Sequence, residues 1–562
     1  LLETNFYVCI FSVETIFTLK GYLTQIDFMS SKKYFDFHPP VFIPSALIII
    51  LFVGGVLAIG EPAEQFFNSL QTGLYNNVGW FFIFIMNVML ITSAVLAFGP
   101  LGKIRIGGPK ARPEFTDLSW YSMLFSAGMG IGLIYFGVAE PITHFNNRPF
   151  PVENEIDAVA QAFNFTFLHY GLHPWGAYGM VALALAFFTY NKKLPLAMRS
   201  LFYPIIKRKI HGPFGNTVDV LAVIACLFGL ATTLGFGAQQ LTSGLAHLFD
   251  IPNTTTSQVV VITVVTFAAT ISVVLGIDKG VKNLSVFNIY TAVGLLLTML
   301  IIGPTVYILD GYIENVGSYF NNFLSLATYT EAFTESTWQN GWTVFYYAWW
   351  IAWSPFVGIF IARVSKGRTV KEFLVSVVLL PSLVSFFWFT VFGGAAMYLQ
   401  LNGIGDIGSA VGADTSTALF YMFDQYPISE IMSFVGVILI ITFFVTSSDS
   451  GSLVVDSLTA GGKLDAPVAQ RVFWALAEGA LAATLLIGGG LTTLQTAVML
   501  AALPFGITLL LMVYSLVIGL KHERHKNLRR RVKRQRTRNI NKWENHYREV
   551  LDTDPEEVKP NS

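Results

Sequence analysis

Twelve apolar stretches, most of them at or above the ~18 residues that a membrane-crossing helix needs, constrain this chain more than any other feature. They run approximately over 41 to 60, 78 to 99, 118 to 138, 158 to 190, 217 to 248, 257 to 276, 285 to 309, 342 to 364, 371 to 399, 429 to 450, 468 to 489 and 493 to 520, broken at charges or Pro/Gly clusters. Only 12% of the 562 residues are charged and 53% are hydrophobic, whereas soluble domains carry about twice that charge. The expectation is an all-α membrane protein of twelve transmembrane helices. A soluble enzyme, a nucleic-acid binder and a disulfide-stapled scaffold are excluded. Cys9 and Cys226 stand in separate apolar stretches and form no metal-ligand cluster, so no cofactor is expected.

The Lys and Arg residues fix a sidedness. Twenty of the 35 fall in alternate loops, beginning with Lys32 and Lys33, and thirteen more lie beyond residue 520. The opposite loops hold only Arg148, with Lys20 unplaced. By the positive-inside rule both termini face the cytoplasm, and a plasma-membrane location follows. Residues 521–562 carry thirteen basic against seven acidic side chains. This tail has no apolar periodicity for a core, so it is a solvated helix or a surface-binding arm, attracting anionic lipid by about 1 kcal/mol per basic residue. The first methionine is Met29, and residues 1–28 read as translation upstream of it, too polar and interrupted for a signal peptide.

Two spans carry interruptions. The third, SWYSMLFSAGMGIGLIYFGVAEP, has Gly128, Gly130 and Gly132 at its centre, and the eighth, GWTVFYYAWWIAWSPFVGIFIARV, has Ser354, Pro355 and Gly358 beyond its middle. Glycine at every second position is not explained by one helix face; it permits an unwound backbone that approaches a ligand closely, with close helix packing of the small-xxx-small type as the alternative. Five spans separate the starts of these segments, and an odd number inverts a second copy. Residues 118–309 and 342–520 then form two inverted repeats, with 1–40 a cytoplasmic segment, 41–99 two peripheral helices and 521–562 the tail.

Membrane Trp and Tyr normally sit at span ends. Trp349, Trp350 and Trp353 lie instead near the middle of the eighth span, and Trp175 and Tyr178 lie similarly within the fourth. Converging rings in a dry cavity suit a quaternary ammonium, which has no N–H to donate and is held by cation–π attraction of ~0.5 to 2 kcal/mol per face. The bland alternative is aromatic filler in a phenylalanine-rich bundle.

The segments FSAGMGIG, LHYGLHPWGAY, YYAWWIAWSPFVG and FFVTSSDSGS resemble the signatures of the betaine/choline/carnitine transporter family, over about residues 40 to 520. The resemblance implies a leucine-transporter-like five-plus-five inverted-repeat fold, secondary active uptake of trimethylammonium solutes, and a homotrimer. It implies a substrate cage of Trp175, Tyr178, Trp349, Trp350 and Trp353, with Tyr170 where an aromatic, often Trp, contributes. It also implies a sodium site of Ser126 and Met129 through their backbones with Phe443, Thr446 and Ser447. The family's choline carriers place Asp where this chain has Gly132, so a zwitterion such as glycine betaine is favoured over a cation. A second sodium site would use two threonines where Cys226 and Leu230 stand, with Thr232 and Thr233 off that register, which puts two-sodium coupling in doubt.

Other polar residues leave alternatives open. His169 and His173, four apart, are expected to make structural hydrogen bonds rather than share a metal or proton. Glu140 and Asp449 are either paired or gating, and Glu478 is either paired or proton-coupling. Rival functions are a choline or carnitine carrier driven by protons and an osmosensing receptor signalling through its tail. An intramembrane enzyme is disfavoured, because no nucleophile, base and metal converge.

Overall fold

The computed structural model describes residues 35–552 except 61, 129, 275–277, 335 and 464–466. The reading of residues 1–28 therefore lies outside the described residues. The long helices are α1 Pro39–Ile59, α2 Pro62–Phe98, α3 Asp117–Gly128, α4 Ile131–Asn146, α5 Glu155–Tyr170, α6 Leu172–Ala186, α7 Pro213–Phe249, α8 Thr255–Val274, α9 Asp278–Ile302, α10 Thr305–Thr328, α11 Phe345–Val364, α12 Val370–Leu401, α13 Ser429–Thr459, α14 Val468–Ile487 and α15 Gly490–Asp552. Among the described residues, 11 helices are long and apolar enough to cross a bilayer, with α5 and α6 counted as one span. The twelfth expected span is the third, which is divided into α3 and α4.

Burial sorts these helices into centre and periphery. The most apolar window of the α5–α6 span is 94% buried and those of α7 and α11 are 83% buried, against 22% for α1, 28% for α8 and 22% for α9. Lipid tails are as apolar as the side chains they touch, so peripheral helices can expose Leu, Ile and Phe without cost. Only the central helices can hold a polar site away from lipid.

Local chemistry sets several helix ends. Thr369 and Glu372 form a reciprocal capping box at the start of α12, with Thr369 Oγ1 accepting the Glu372 N–H at 3.2 Å and the Glu372 carboxylate accepting the Thr369 N–H at 3.3 Å. Asn154 caps α5 by accepting the Asp157 N–H at 2.9 Å.

The basic loops meet at one end of the molecule. Ile106 N–H donates to Arg368 O at 2.9 Å and Val370 N–H to Ile104 O at 2.9 Å, stitching the α2–α3 loop to the α11–α12 loop. Arg368 pairs there with Asp117 and with Glu372, its guanidinium 4.5 Å from the Trp120 ring centroid. Lys192 holds Glu523 of α15 at 2.6 Å, and Lys463 holds Asp36 at 2.6 Å.

One element was not foreseen, and the tail takes the helical form that was one of its two expected alternatives. The 24-residue α10 is strongly amphipathic, with Val306, Ile313 and Leu324 exposed on one face and Ile308 and Tyr319 buried on another. Asp310, Glu314 and Asn315 interrupt its apolar residues, so a hydropathy window passes over it. α15 continues for 63 residues, carrying the basic tail as one exposed helix.

One buried ion pair braces the end where the basic loops gather: Arg199 pairs with Asp219 of α7 through Nε, and its backbone N–H donates to the same carboxylate at 2.7 Å. Asp219→Asn leaves the guanidinium buried without its counter-charge, a loss of roughly 3–5 kcal/mol. The expected outcome is a lower thermal-unfolding midpoint of the detergent-solubilised protein, followed by fluorescence-detected size exclusion, with Arg199→Met/Asp219→Leu recovering much of the difference.

Candidate functional site

The site is organised by the break in the third span. α3 ends at Gly128, Gly130 is fully extended, and α4 resumes at Ile131. Met129 lies outside the described residues, as do the surroundings of Ser126 and Gly128. The remaining glycines differ in their reason for being there. A Cβ on Gly130 would meet nothing within 4 Å, whereas one on Gly132 would come within 3.2 Å of Trp349 Cη2 and 3.7 Å of Tyr170 Oη. Gly132 is thus fixed by close approach.

Beyond the break, three successive carbonyls of α4 each receive a side-chain donor from a different helix. Gly132 O accepts from Tyr170 Oη at 3.3 Å, Leu133 O from Trp388 Nε1 at 2.8 Å, and Ile134 O from Gln240 Nε2 at 3.1 Å. The first turn of α4 is thereby tied to α5, α12 and α7.

A cavity lies against this turn. Trp175, Tyr178, Trp349, Trp350, Trp353, Tyr170, Gly130 and Gly132 all line it, together with Thr233 and Ser385, which sequence reasoning missed. None of its described lining residues is charged. Trp349 and Trp350 stack with centroids 4.7 Å apart and planes 13° from parallel. Tyr170 and Tyr178 stand edge-on to Trp350 at 5.4 and 6.3 Å, and Trp175 is edge-on to Tyr178 at 5.5 Å. Two indoles are pinned to backbone, Trp349 Nε1 donating to Gly229 O at 3.3 Å and Trp350 Nε1 to His169 O at 2.7 Å. The Tyr178 hydroxyl and the Trp353 indole nitrogen are buried without a partner.

Glu140, placed near a span end from the sequence, is fully buried. Its Oε1 lies 2.6 Å from His169 Nδ1 and 3.2 Å from His144 Nε2, while Tyr346 Oη donates to Oε2. These are the only His/Cys/Asp/Glu residues among those described whose ligand atoms cluster at metal-site spacing, within 4.8 Å of one another. They are occupied with each other and with Tyr346. The pairing of His169 with His173 does not occur: His173 Nε2 turns to Asn87 Oδ1 at 3.3 Å and its ring stacks on Phe323, because Gly171 breaks the helix between the two histidines.

The expected sodium residues are placed as follows. Thr446 Oγ1 donates to Thr442 O at 2.9 Å and accepts from Asn288 Nδ2 at 3.1 Å; Phe443 is buried and Ser447 half-buried on the same helix, α13. On α7, Cys226 and Leu230 are buried, and both nearby threonine hydroxyls are spent on backbone, Thr232 on Phe228 O at 2.9 Å and Thr233 on Gly229 O at 3.1 Å. Glu478 lies 3.5 Å from the Ser448 hydroxyl, and Asp449 is buried.

A multi-pass bundle with a broken central helix and an aromatic cavity at its core is the architecture of a membrane carrier. Residues 40–525 match the family model described as "BCCT, betaine/carnitine/choline family transporter". A glycine betaine/proline/choline transporter of Vibrio parahaemolyticus is 46% identical over 505 residues, covering 87% of this chain and 91% of that protein. Glycine betaine transporter 1 of the same organism is 48% identical over 509 residues, 88% and 95% of the two chains. A glycine betaine transporter of Acinetobacter baylyi is 43% identical over 493 residues, 88% of this chain and 74% of its own. The chain belongs to the betaine/carnitine/choline transporter family.

The crowding at Gly132 is directly testable. Gly132→Ala drives a methyl against Trp349 and the Tyr170 hydroxyl, and overpacking of this kind costs about 1–3 kcal/mol. Saturable solute uptake is expected to lose at least about fivefold in apparent affinity, measured with radiolabelled substrate.

Proposed function

We propose that this protein is a sodium-coupled symporter that imports glycine betaine as an osmoprotectant by alternating access. The observation that carries this reading is a cavity walled by stacked and edge-on aromatic rings with no charged residue in its described lining. A methylated ammonium is held there by ring faces, each worth ~0.5 to 2 kcal/mol once desolvated. Its own carboxylate makes the substrate neutral overall, so no protein charge is needed to balance it. That carboxylate lies at the start of α4, where first-turn N–H groups and the helix dipole favour an anion and Gly130, Ile131 and Gly132 line the cavity. The unpartnered Tyr178 hydroxyl and Trp353 indole N–H are further donors. Choline, a net cation, would find no carboxylate in this wall. Glycine betaine is in the printed name of all three relatives, and proline and choline are also in that of one.

Sodium is bound by the backbones of Ser126 and Met129 with Phe443, Thr446 and Ser447. A hydroxyl that donates to its own helix, as Thr446 does to Thr442 O, still has oxygen lone pairs for a hard cation. One Na⁺ per neutral zwitterion moves one net charge, about 2.3 kcal/mol per 100 mV. The bundle α3–α4, α5–α6, α11 and α12 rocks against the remaining helices, in a five-plus-five repeat. The protein resides in the plasma membrane as a homotrimer with both termini cytoplasmic, and the basic tail of α15 contacts anionic lipid.

Uptake of radiolabelled glycine betaine in a carrier-deficient cell is expected to require Na⁺, and choline is expected to compete poorly, with carnitine competition reading the size selectivity. Trp350→Leu/Trp353→Leu removes two ring faces and should abolish accumulation; undiminished uptake would sink the assignment. Truncation after Gly519 separates a carrier from a receptor that signals through its tail. Basal uptake should survive, and only its response to osmotic upshift should change.

A further inference from the structure

Glu140 does not line the cavity, yet it is hydrogen-bonded toward the rings that do. We propose that Glu140 is a positioning residue of the substrate cage, setting its rings through Tyr346 and Tyr170 and so governing how sharply the cavity distinguishes trimethylated from dimethylated ammonium groups. The inference rests on the betaine-transport reading above and adds a residue to it.

Three links connect the carboxylate to the cage. The first is a phenol chain. Tyr346 gives its only hydroxyl proton to Glu140 Oε2, so its oxygen is an acceptor for Tyr170 Oη at 3.2 Å, and the single Tyr170 proton is shared between that oxygen and Gly132 O at 3.3 Å. The second is a ring stack: Tyr346 lies between His169 at 4.7 Å and Trp350 at 5.8 Å, its plane within 22° and 27° of theirs. The third runs through the backbone. His169 Nδ1 is held at 2.6 Å by Glu140 Oε1, its Nε2 by Thr343 Oγ1 at 2.9 Å, and its carbonyl accepts the Trp350 indole N–H at 2.7 Å.

All three links end on Trp350 or Tyr170. Glu140, His169 and Tyr346 are fully buried, and water does not replace a hydrogen bond lost there. A partly satisfied buried network is costly and loosens what it supports. With the phenol chain cut, Tyr170 and Trp350 keep their contacts to Gly132 and His169 but lose the brace behind them. A looser cage holds the third methyl less well, so a trimethylated substrate loses more than a dimethylated one.

The test uses the full chain in proteoliposomes, measuring KM, maximal rate and the preference for glycine betaine over N,N-dimethylglycine. Tyr346→Phe keeps the ring and removes the link. It is expected to raise KM for glycine betaine about 5–10-fold with maximal rate within about twofold, and to reduce the preference severalfold. Glu140→Ala should show the same pattern, Glu140→Gln should restore most of the preference by offering Tyr346 an acceptor, and Tyr346→Phe/Glu140→Ala should be no worse than Glu140→Ala. Loss of protein or of maximal rate alone, with KM and preference unchanged, would mean a merely structural carboxylate and overturn the proposal. If Glu140→Ala does not fold, Tyr346→Phe decides. Absence of saturable wild-type uptake defeats the transport reading and this inference with it, whereas wild-type uptake matched by Tyr346→Phe defeats this inference alone.

Discussion

A helix cannot be broken inside a bilayer unless protein satisfies the backbone it exposes, because hydrocarbon offers no hydrogen bonds and each unpaired group costs several kcal/mol. That constraint governs this structure. The span that would have been the third helix stops at Gly128 and restarts at Ile131, and the restart is gripped by Tyr170, Trp388 and Gln240 at three consecutive carbonyls. These carbonyls already lie in a helical turn, so the extra bonds serve mainly to orient it. The helix N-terminus is thereby aimed into the aromatic cavity and held there by α5, α12 and α7.

The same side chains serve both break and cage. Tyr170 touches the α4 backbone with its hydroxyl and presents its ring to Trp350; Trp349 restricts position 132 to glycine and stacks on Trp350. Break and cage are therefore not independent features that happen to be adjacent. A side chain at position 132 would push on Trp349 and on the Tyr170 hydroxyl that bonds Gly132 O.

Much of this was legible in the sequence. Twelve spans, the unwinding at the glycines and the depth of the tryptophans follow from hydropathy, from glycine spacing and from the habit of Trp and Tyr to sit at interfaces. The gathering of basic loops at one end follows from charge placement. What was hidden depended on contacts between residues far apart in the chain. His144, His169 and Tyr346 converge on Glu140 from 4, 29 and 206 positions away, and periodicity within one helix says nothing about such meetings. His169 and His173 make separate structural hydrogen bonds, as expected, and Gly171 breaks the helix between them. α10 escaped because Asp310, Glu314 and Asn315 interrupt its apolar residues, and Thr233 because an off-register threonine in α7 faces the cavity while its hydroxyl bonds back to Gly229 O.

Where the polar contacts lie also bears on what can move. The Glu140 cluster joins α4, α5 and α11, and Trp388 adds α12, so the four elements of the proposed rocking bundle are linked by buried hydrogen bonds whose geometry tolerates little displacement. Between this bundle and α7 the hydrogen bonds among the described residues are fewer, Tyr135 Oη to Gln239 Oε1 at 3.3 Å, Gln240 Nε2 to Ile134 O and Trp349 Nε1 to Gly229 O, and they stand beside apolar packing such as Gly229 against Trp353. Apolar surfaces slide with far less directional penalty than a hydrogen-bonded network. A carrier needs one group of helices to move as a body while its substrate site stays assembled. Concentrating the directional bonds inside the bundle, around a carboxylate set back from the cavity, meets that requirement.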